Sequence, residues 1–232
     1  MYSTRNVGII TAPRSNGIDY LSKTLVSLFT NAEYIGEVHI FNGSRETSYL
    51  AHFERNPRIR VHQIPNSVRL EESNQWDRCW LNYKNALEFF SDMDTDAYLF
   101  EDDVVFTNGF FGKAWIAQNQ IEKELESYAL SLYTPISAQV SHGQEVAVFQ
   151  HPQARFFGCQ GMYFPAKTIK EFLNGFHETL ASRNKEGIDM IIKDYFDSTN
   201  SLFFTAPSLC QHIGEISTGT YGPSHRASNF RF

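Results

Sequence analysis

Apolar and amphipathic segments alternate along the first hundred residues. The apolar run at 7–11 predicts a buried strand that ends in a turn-forming cluster, and Ile18, Leu21, Leu25 and Leu28 then recur at helical spacing. The same reasoning predicts strands at 37–41, 60–64 and 97–100 and a helix over 74–90. Strands that alternate with helices are typical of a mostly parallel sheet, which binds its ligands at the carboxyl ends of the strands.

The pattern is less regular in the second half. Strands are expected at 129–133, 145–149 and 202–205, helices at 166–180 and 188–196, and a loop-rich segment from 207 onward. Since no linker or internal repeat separates the halves, the sequence predicts a single α/β domain over 1–232, with a Rossmann-like sheet flanked by helices. In this interpretation about 1–105 bind a nucleotide and about 106–232 bind an acceptor.

Composition narrows the classes of protein. The chain has 232 residues, of which 42% are hydrophobic and 20% charged, so it can bury a large core. Its 26 acidic and 20 basic residues give a net charge of −6, which argues against bulk electrostatic binding of nucleic acid. The polar start and the short apolar run at 7–10 predict neither a signal peptide nor a membrane span. Cys79, Cys159 and Cys210 are too widely spaced for a disulfide framework, so a cytoplasmic location is expected.

Three consecutive carboxylates follow the predicted strand at 97–100. Glu101, Asp102 and Asp103 repel one another, and a divalent cation would neutralise them. Hard oxygen ligands favour Mg²⁺ or Mn²⁺, either of which can bridge the phosphates of a nucleotide. The alternative is a solvated acidic turn, but the apolar residues on both sides of the triplet favour an enclosed site.

A resemblance becomes specific at this triplet. The strand–helix–strand start, the DxD-like triplet and a late histidine together resemble glycosyltransferases of the GT-A fold. The segment at 207–214, Pro-Ser-Leu-Cys-Gln-His-Ile-Gly, is similar to the PSLFQHxG stretch of the N-acetylglucosaminyltransferase IV family. The resemblance covers roughly residues 75–220, including a Gly-containing loop beside the sugar at 156–162 and an acidic residue that opens a helix at 186–189. The first 70 residues match only at the level of the fold.

The resemblance implies roles for individual residues. Asp103 is similar to the metal ligand of these enzymes, and Glu101 or Asp102 to the carboxylate that faces the ribose. The nucleobase and ribose would be enclosed by the loop after the first strand, and a polar base contact would follow the second strand. The residues in question are Thr11, Ala12, Pro13, Arg14 and Asn42.

Other candidates come from the residues themselves. His212 is expected to bind the same metal, because imidazole joins carboxylate oxygens at Mn²⁺. Asp189, near a helix start, is the candidate general base, with Asp194 as its competitor. Asn82 and Lys84 could reach the nucleotide or lie on a solvated helix face. Core packing is favoured over a sugar platform for Trp76 and Trp80, and the segment 217–226, with Ser217, Thr218, Tyr221 and Arg226, is expected to act as a flap over a diphosphate.

These observations predict a metal-dependent, inverting glycosyltransferase. It would move a sugar from a nucleoside diphosphate sugar, with a UDP-sugar favoured, to an acceptor hydroxyl. The sequence does not identify the acceptor, and a modified nucleic-acid base is among the possible acceptors. Two alternatives remain: a nucleotidyltransferase, and a non-catalytic module of the same fold that binds carbohydrate or nucleotide.

Overall fold

A mixed eight-stranded sheet runs through both halves of the chain. The structure is a computed structural model, and it describes residues 4–14, 17–65, 75–135, 145–152, 156, 159–181, 187–215, 227 and 229–230, with only the backbone at 75–77 and 176–181. The strands are β1 (Arg5–Thr11), β2 (Ile35–Asn42), β3 (Ile59–Gln63), β4 (Ala97–Glu101), β5 (Val104–Phe106), β6 (Ala129–Ser131), β7 (Ala147–Gln150), β8 (Gly161–Phe164), β9 (Leu202–Ala206) and β10 (Cys210–His212). The helices are α1 (Tyr20–Asn31), α2 (Gln75–Asp92), α3 (Phe110–Ile121), α4 (Ala166–Ala181) and α5 (Ile188–Asp197).

The sheet is mostly parallel, as the alternating pattern predicts. Its order is β3-β2-β1-β4-β8-β6-β9-β7, and only β8 and β7 run against the other six strands. Because β4 of the first half pairs directly with β8 of the second, the two halves share one sheet. The α/β fold class predicted from the sequence is therefore confirmed.

Helices cover both faces of the sheet. The stripe Leu21, Leu25 and Leu28 of α1 packs with α3 against one face, and α2, α4 and α5 pack against the other. The α2 stripe contains Trp80, which is 6% exposed and lies in the second of these cores. Core packing is thus confirmed for Trp80, whereas the side chain of Trp76 lies outside the described part.

Several helices and strands of the structure are not predicted by the sequence pattern. Helix α3 was missed, because Gln118 interrupts its apolar stripe; this side chain is buried and donates to the hydroxyl of Tyr98 at 2.6 Å. Strand β8 begins at Gly161, where a continuing loop was expected. The segment from 207 was expected to be loop-rich, but it contains β10, which pairs antiparallel with β5.

The topology brings polar residues to one edge. Strands β1, β2 and β4 run in the same direction, so their carboxyl ends meet there, and β4 ends at Glu101. After the turn at 102–103 the chain enters β5, and the antiparallel β10 places His212 opposite Val104. None of the described helices combines the length and the apolar character that crossing a membrane requires.

Candidate metal and nucleotide site

Helix α1 holds the acidic turn in place. The hydroxyl of Thr24 lies 2.8 Å from the carbonyl oxygens of both Asp102 and Val104, and it accepts a hydrogen bond from the Val104 N–H at 3.1 Å. One turn further along α1, the hydroxyl of Ser27 accepts from the N–H of Phe106 at 2.9 Å. Two side chains of α1 therefore fix the turn that carries the carboxylates.

His212 reaches Asp103 through the β5–β10 pair. Its Nε2 lies 3.0 Å from Asp103 Oδ2, and the next backbone N–H, that of Ile213, donates to the carbonyl oxygen of Asp103 at 2.8 Å. Glu101 completes a group in which one ligand atom of each residue lies within 4.8 Å of the others. From the sequence, Asp103 and His212 are expected to bind one metal, and Glu101 or Asp102 to face the ribose. In the structure, Glu101 lies together with Asp103 and His212.

The donor set fits a divalent cation. Asp103 is 1% exposed, and its Oδ1 is buried without a hydrogen-bond partner among the described residues. An uncompensated carboxylate oxygen in the interior is costly unless a proton or a cation satisfies it. Two carboxylates and one imidazole are ligands that Mn²⁺ and Mg²⁺ accept, Mn²⁺ taking the nitrogen more readily.

Arg14 is the cation already present at the site. Its guanidinium contacts Asp102 Oδ1 and lies 2.9 Å from Asp103 Oδ2, while the Thr11 hydroxyl donates to Asp102 Oδ2 at 2.6 Å. Asp102 is thus held between the end of β1 and Arg14. Its role in the structure is to fix Arg14 beside the candidate metal ligands.

Burial and charge shift the protonation of this cluster. Burial, with the charges of Asp103 and Asp189, raises the pKa of Glu101 to about 8, and burial also raises the pKa of Asp102 despite Arg14. For Asp103, burial alone would raise the pKa, but the hydrogen bond and charge of His212 and the charge of Arg14 hold it below its usual value. The reverse holds for His212, where Asp103 outweighs burial and raises the imidazole pKa. Of the three carboxylates, Asp103 is therefore the one whose pKa is lowered.

The two asparagines are engaged in the fold. Asn42 is fully buried; its Nδ2 donates to Glu46 O and Gln63 Oε1, and its Oδ1 accepts from Tyr49 and the Ser44 N–H. Both ends of the amide are thus engaged within the protein, and the base contact stays a prediction.

Asn82 ties α2 to the sheet edge. Its Nδ2 donates to Phe41 O at 2.8 Å, and a Cβ at Gly43 would lie 3.1 Å from the same nitrogen, so Gly43 covers it. Lys84 pairs with Glu88 one turn along α2, on the solvated face that was the alternative. Of the remaining predicted residues, Ala12 is half-buried and Pro13 exposed, and both follow β1 at the sheet edge beside Arg14.

The two candidate bases lie on different sides of α5. Asp189 is in the first turn of the helix, accepts from the Cys159 N–H at 3.1 Å and is close enough to Glu101 to raise its pKa. Asp194 lies 3.8 Å from Lys193, which also pairs with Asp197. Asp189 is the candidate whose charge acts on the carboxylate cluster.

Some contributors carry no signal in the sequence. Thr24, Tyr49 and Tyr20 belong to the site through contacts with Asp102, Asn42 and Arg14, and apolar periodicity alone identifies none of them. The flap expected at 217–226 lies outside the described residues, as does Glu186, the first residue of the segment compared at 186–189.

The fold matches solved structures of two kinds of enzyme. A 4-diphosphocytidyl-2C-methyl-D-erythritol synthase from Anaerococcus prevotii aligns with a TM-score of 0.53 at 13% identity, over 89% of each chain. An active-site mutant of the galactosyltransferase LgtC aligns with a TM-score of 0.51 at 10% identity, over 83% of this chain and 70% of the other. The glycosyltransferase GlyE of Streptococcus pneumoniae aligns at 0.48 and 13%, and the chain spans 45% of its length.

These similarities establish architecture. No protein-family model matches the sequence, and neither does any curated protein. At such low identity the alignments show a shared fold of the GT-A type and nothing about substrates. The narrower resemblance to the N-acetylglucosaminyltransferase IV family rests on the sequence alone.

Proposed function

We propose that the protein is a glycosyltransferase that uses a divalent cation, Mn²⁺ or Mg²⁺, and a nucleoside diphosphate sugar. One observation carries the proposal. Asp103 is held between His212 and Arg14, and its Oδ1 is buried and has no hydrogen-bond partner among the described residues. Glu101 lies beside it. The group lies at the carboxyl ends of the parallel strands, where α/β sheets bind nucleotides.

Each residue of the site has a role in this proposal. Asp103, His212 and Glu101 would hold the cation, whose positive charge stabilises a leaving diphosphate. Arg14 adds a second positive charge at the same place, and its guanidinium can donate to phosphate oxygens in a bidentate manner. Thr11 and Asp102 orient Arg14 through the contacts described above.

Asp189 is the proposed general base. It would take the proton of the acceptor hydroxyl as that oxygen attacks C1 of the sugar from the side opposite the diphosphate, which inverts the anomeric centre. Its hydrogen bond from the Cys159 N–H fixes the carboxylate, and its effect on the pKa of Glu101 supports its closeness to the cluster. A UDP-sugar as donor is an inference from the resemblance at 207–214.

A nucleotidyltransferase is the second candidate, because the A. prevotii synthase aligns over nearly its whole length. Such enzymes bind triphosphates with Gly-rich, Lys-containing loops after the first strand. Here Thr11-Ala-Pro-Arg14 follows β1, and Arg14 is bound to carboxylates. This difference favours transfer of a sugar.

Product analysis tests the proposal. In a panel of nucleotide sugars with Mn²⁺, we expect slow release of nucleoside diphosphate, and no release of pyrophosphate from nucleoside triphosphates. Asp103→Asn should abolish both metal binding and donor cleavage, whereas Asp94→Asn, the same change at an exposed ion pair with Lys170, should alter neither. Pyrophosphate release would favour the nucleotidyltransferase, and nucleotide binding without any cleavage would favour the non-catalytic module.

A further inference from the structure

Tyr20 contacts both sides of the candidate metal site. It is the first residue of α1 and is 3% exposed. The guanidinium carbon of Arg14 lies 5.3 Å from the centroid of its ring, within the range of a cation–π interaction. Its hydroxyl accepts a hydrogen bond from the N–H of Glu215 at 3.1 Å. The side chain of Tyr20 therefore contacts both the guanidinium of Arg14 and the segment that follows His212.

The hydroxyl contact completes the fixation of that segment. His212 bonds Asp103 through its side chain, Ile213 bonds Asp103 through its backbone N–H, and Glu215 is the next residue with a described bond across to α1. Strand β10 itself is only three residues long. A short strand with a free continuation frays, so a bond at Glu215 limits the motion of the imidazole.

The ring contact acts on the other side of Asp103. The Nη2 of Arg14 is held by Asp102 and Asp103, and the ring of Tyr20 lies against the same guanidinium. An aromatic ring against the guanidinium restricts it to fewer orientations and keeps its donors directed at the site.

We infer that Tyr20 is a positioning residue with two separable functions. Its hydroxyl positions His212 for the metal, and its ring positions Arg14 for the diphosphate of the nucleotide. The inference rests on the proposed function for the identity of the ligands. A residue that only fills the core at the helix start would need neither the hydroxyl nor the ring, since Leu, which has neither, fills such positions equally well.

Two substitutions separate the functions. Tyr20→Phe keeps the ring and removes the hydroxyl, and Tyr20→Leu removes both. We expect Tyr20→Phe to weaken Mn²⁺ binding about 3- to 10-fold, the effect of one lost hydrogen bond, and to leave UDP affinity at saturating Mn²⁺ unchanged. Tyr20→Leu should weaken both. Lys23→Met is the matched control: Lys23 also lies 5.3 Å from this ring but is exposed, and its loss should change neither affinity.

Amide exchange gives a readout that needs no ligand. The Glu215 N–H should exchange faster in Tyr20→Phe than in the wild type, and unchanged exchange would overturn the hydroxyl function. Equal UDP affinities in Tyr20→Phe and Tyr20→Leu would overturn the ring function. If Tyr20→Leu does not fold, Tyr20→Met gives the same comparison. A wild type that binds Mn²⁺ but no nucleotide would contradict the proposed function while the exchange and Mn²⁺ measurements still decide the hydroxyl function. A wild type that binds neither would overturn both inferences.

Discussion

The backbone of Gly214 passes directly against the carboxylate of Asp103. A Cβ at position 214 would lie 2.2 Å from Asp103 Oδ2 and 2.9 Å from His212 Nε2, distances that no real contact tolerates. Glycine is therefore required here by close approach, and any side chain would push the two candidate ligands apart.

Gly214→Ala should consequently weaken Mn²⁺ binding by about tenfold or more, since ligand geometry must hold within a fraction of an ångström. Isothermal calorimetry with Mn²⁺ measures this. Gly112→Ala is the control, because a Cβ there meets nothing within 4 Å and the residue is in α3. That change should leave metal binding intact and raise stability by up to about 1 kcal/mol. Equal Mn²⁺ affinity in Gly214→Ala and the wild type would argue that Glu101, Asp103 and His212 do not bind a metal.

Thr24→Val should lower the free energy of unfolding by about 1 to 3 kcal/mol, because it leaves the buried N–H of Val104 without its acceptor. Urea denaturation followed by circular dichroism measures the loss. Thr24→Ser keeps the hydroxyl, so it should retain most of the stability. A valine variant as stable as the wild type would show that the turn at 102–103 is held by the β5–β10 pair alone.

Asp189→Asn should reduce turnover about 10²- to 10⁴-fold while donor affinity barely changes, which is the signature of a lost general base. The amide oxygen can still accept from the Cys159 N–H, so the local structure is preserved. Steady-state kinetics with an active acceptor checks the first part and calorimetry the second. Asp194→Asn, the matched change further along α5, should keep turnover near wild type; the opposite pattern would assign the base to Asp194.

Acid stability should depend on His39. Burial, and then the charges of His62 and Arg60, lowers its pKa to about 4 in the folded state, against about 6.5 in the unfolded chain. Between these values the unfolded state binds more protons, so stability falls as the pH drops from about 6.5 toward 4 and does not depend on this residue above that window. The cost at pH 4.5 is up to about 2.5 kcal/mol.

His39→Asn should therefore lose less stability than the wild type between pH 7.5 and 4.5 in urea unfolding. The difference between the two proteins is the quantity to compare, because other groups titrate in both. His52→Asn changes an exposed histidine, and its pH dependence should match that of the wild type. An identical acid loss in all three proteins would contradict the role of His39.

The sequence predicts the regular part of the fold well, for a physical reason. Helices α1 and α2 and strands β1, β2 and β4 bury continuous or periodic apolar residues, and this pattern is local. Strands β5, β8 and β10 have three or four residues and adjoin segments that the sequence assigns to a turn or a loop: the acidic triplet, the Gly-containing loop and the segment from 207. Strands β6 and β7 are equally short, but they lie within the longer stretches predicted as strands at 129–133 and 145–149. Helix α3 hides because Gln118 is buried by a tertiary hydrogen bond that no local pattern encodes.

The candidate site divides in the same way. Glu101, Asp102 and Asp103 stand out because three adjacent charges at a strand end are unusual, and a resemblance to known enzymes identifies His212. The roles of the three carboxylates depend on Arg14 and Thr11. The side chains of these two residues contact Asp102 from the end of another strand, β1. The local sequence likewise does not show that the amide of Asn42 makes four hydrogen bonds within the protein.

The separation of Asp103 and His212 by 109 positions has a consequence for folding. The carboxylates leave the ribosome long before the imidazole, and the two meet only when β10 docks on β5, one of the most non-local pairings in the chain. Loops of this length close late, since their entropy must be offset by contacts made earlier. Affinity for Mn²⁺ would thus mark the final step of folding, and a partly folded chain would carry exposed acidic residues without the metal site.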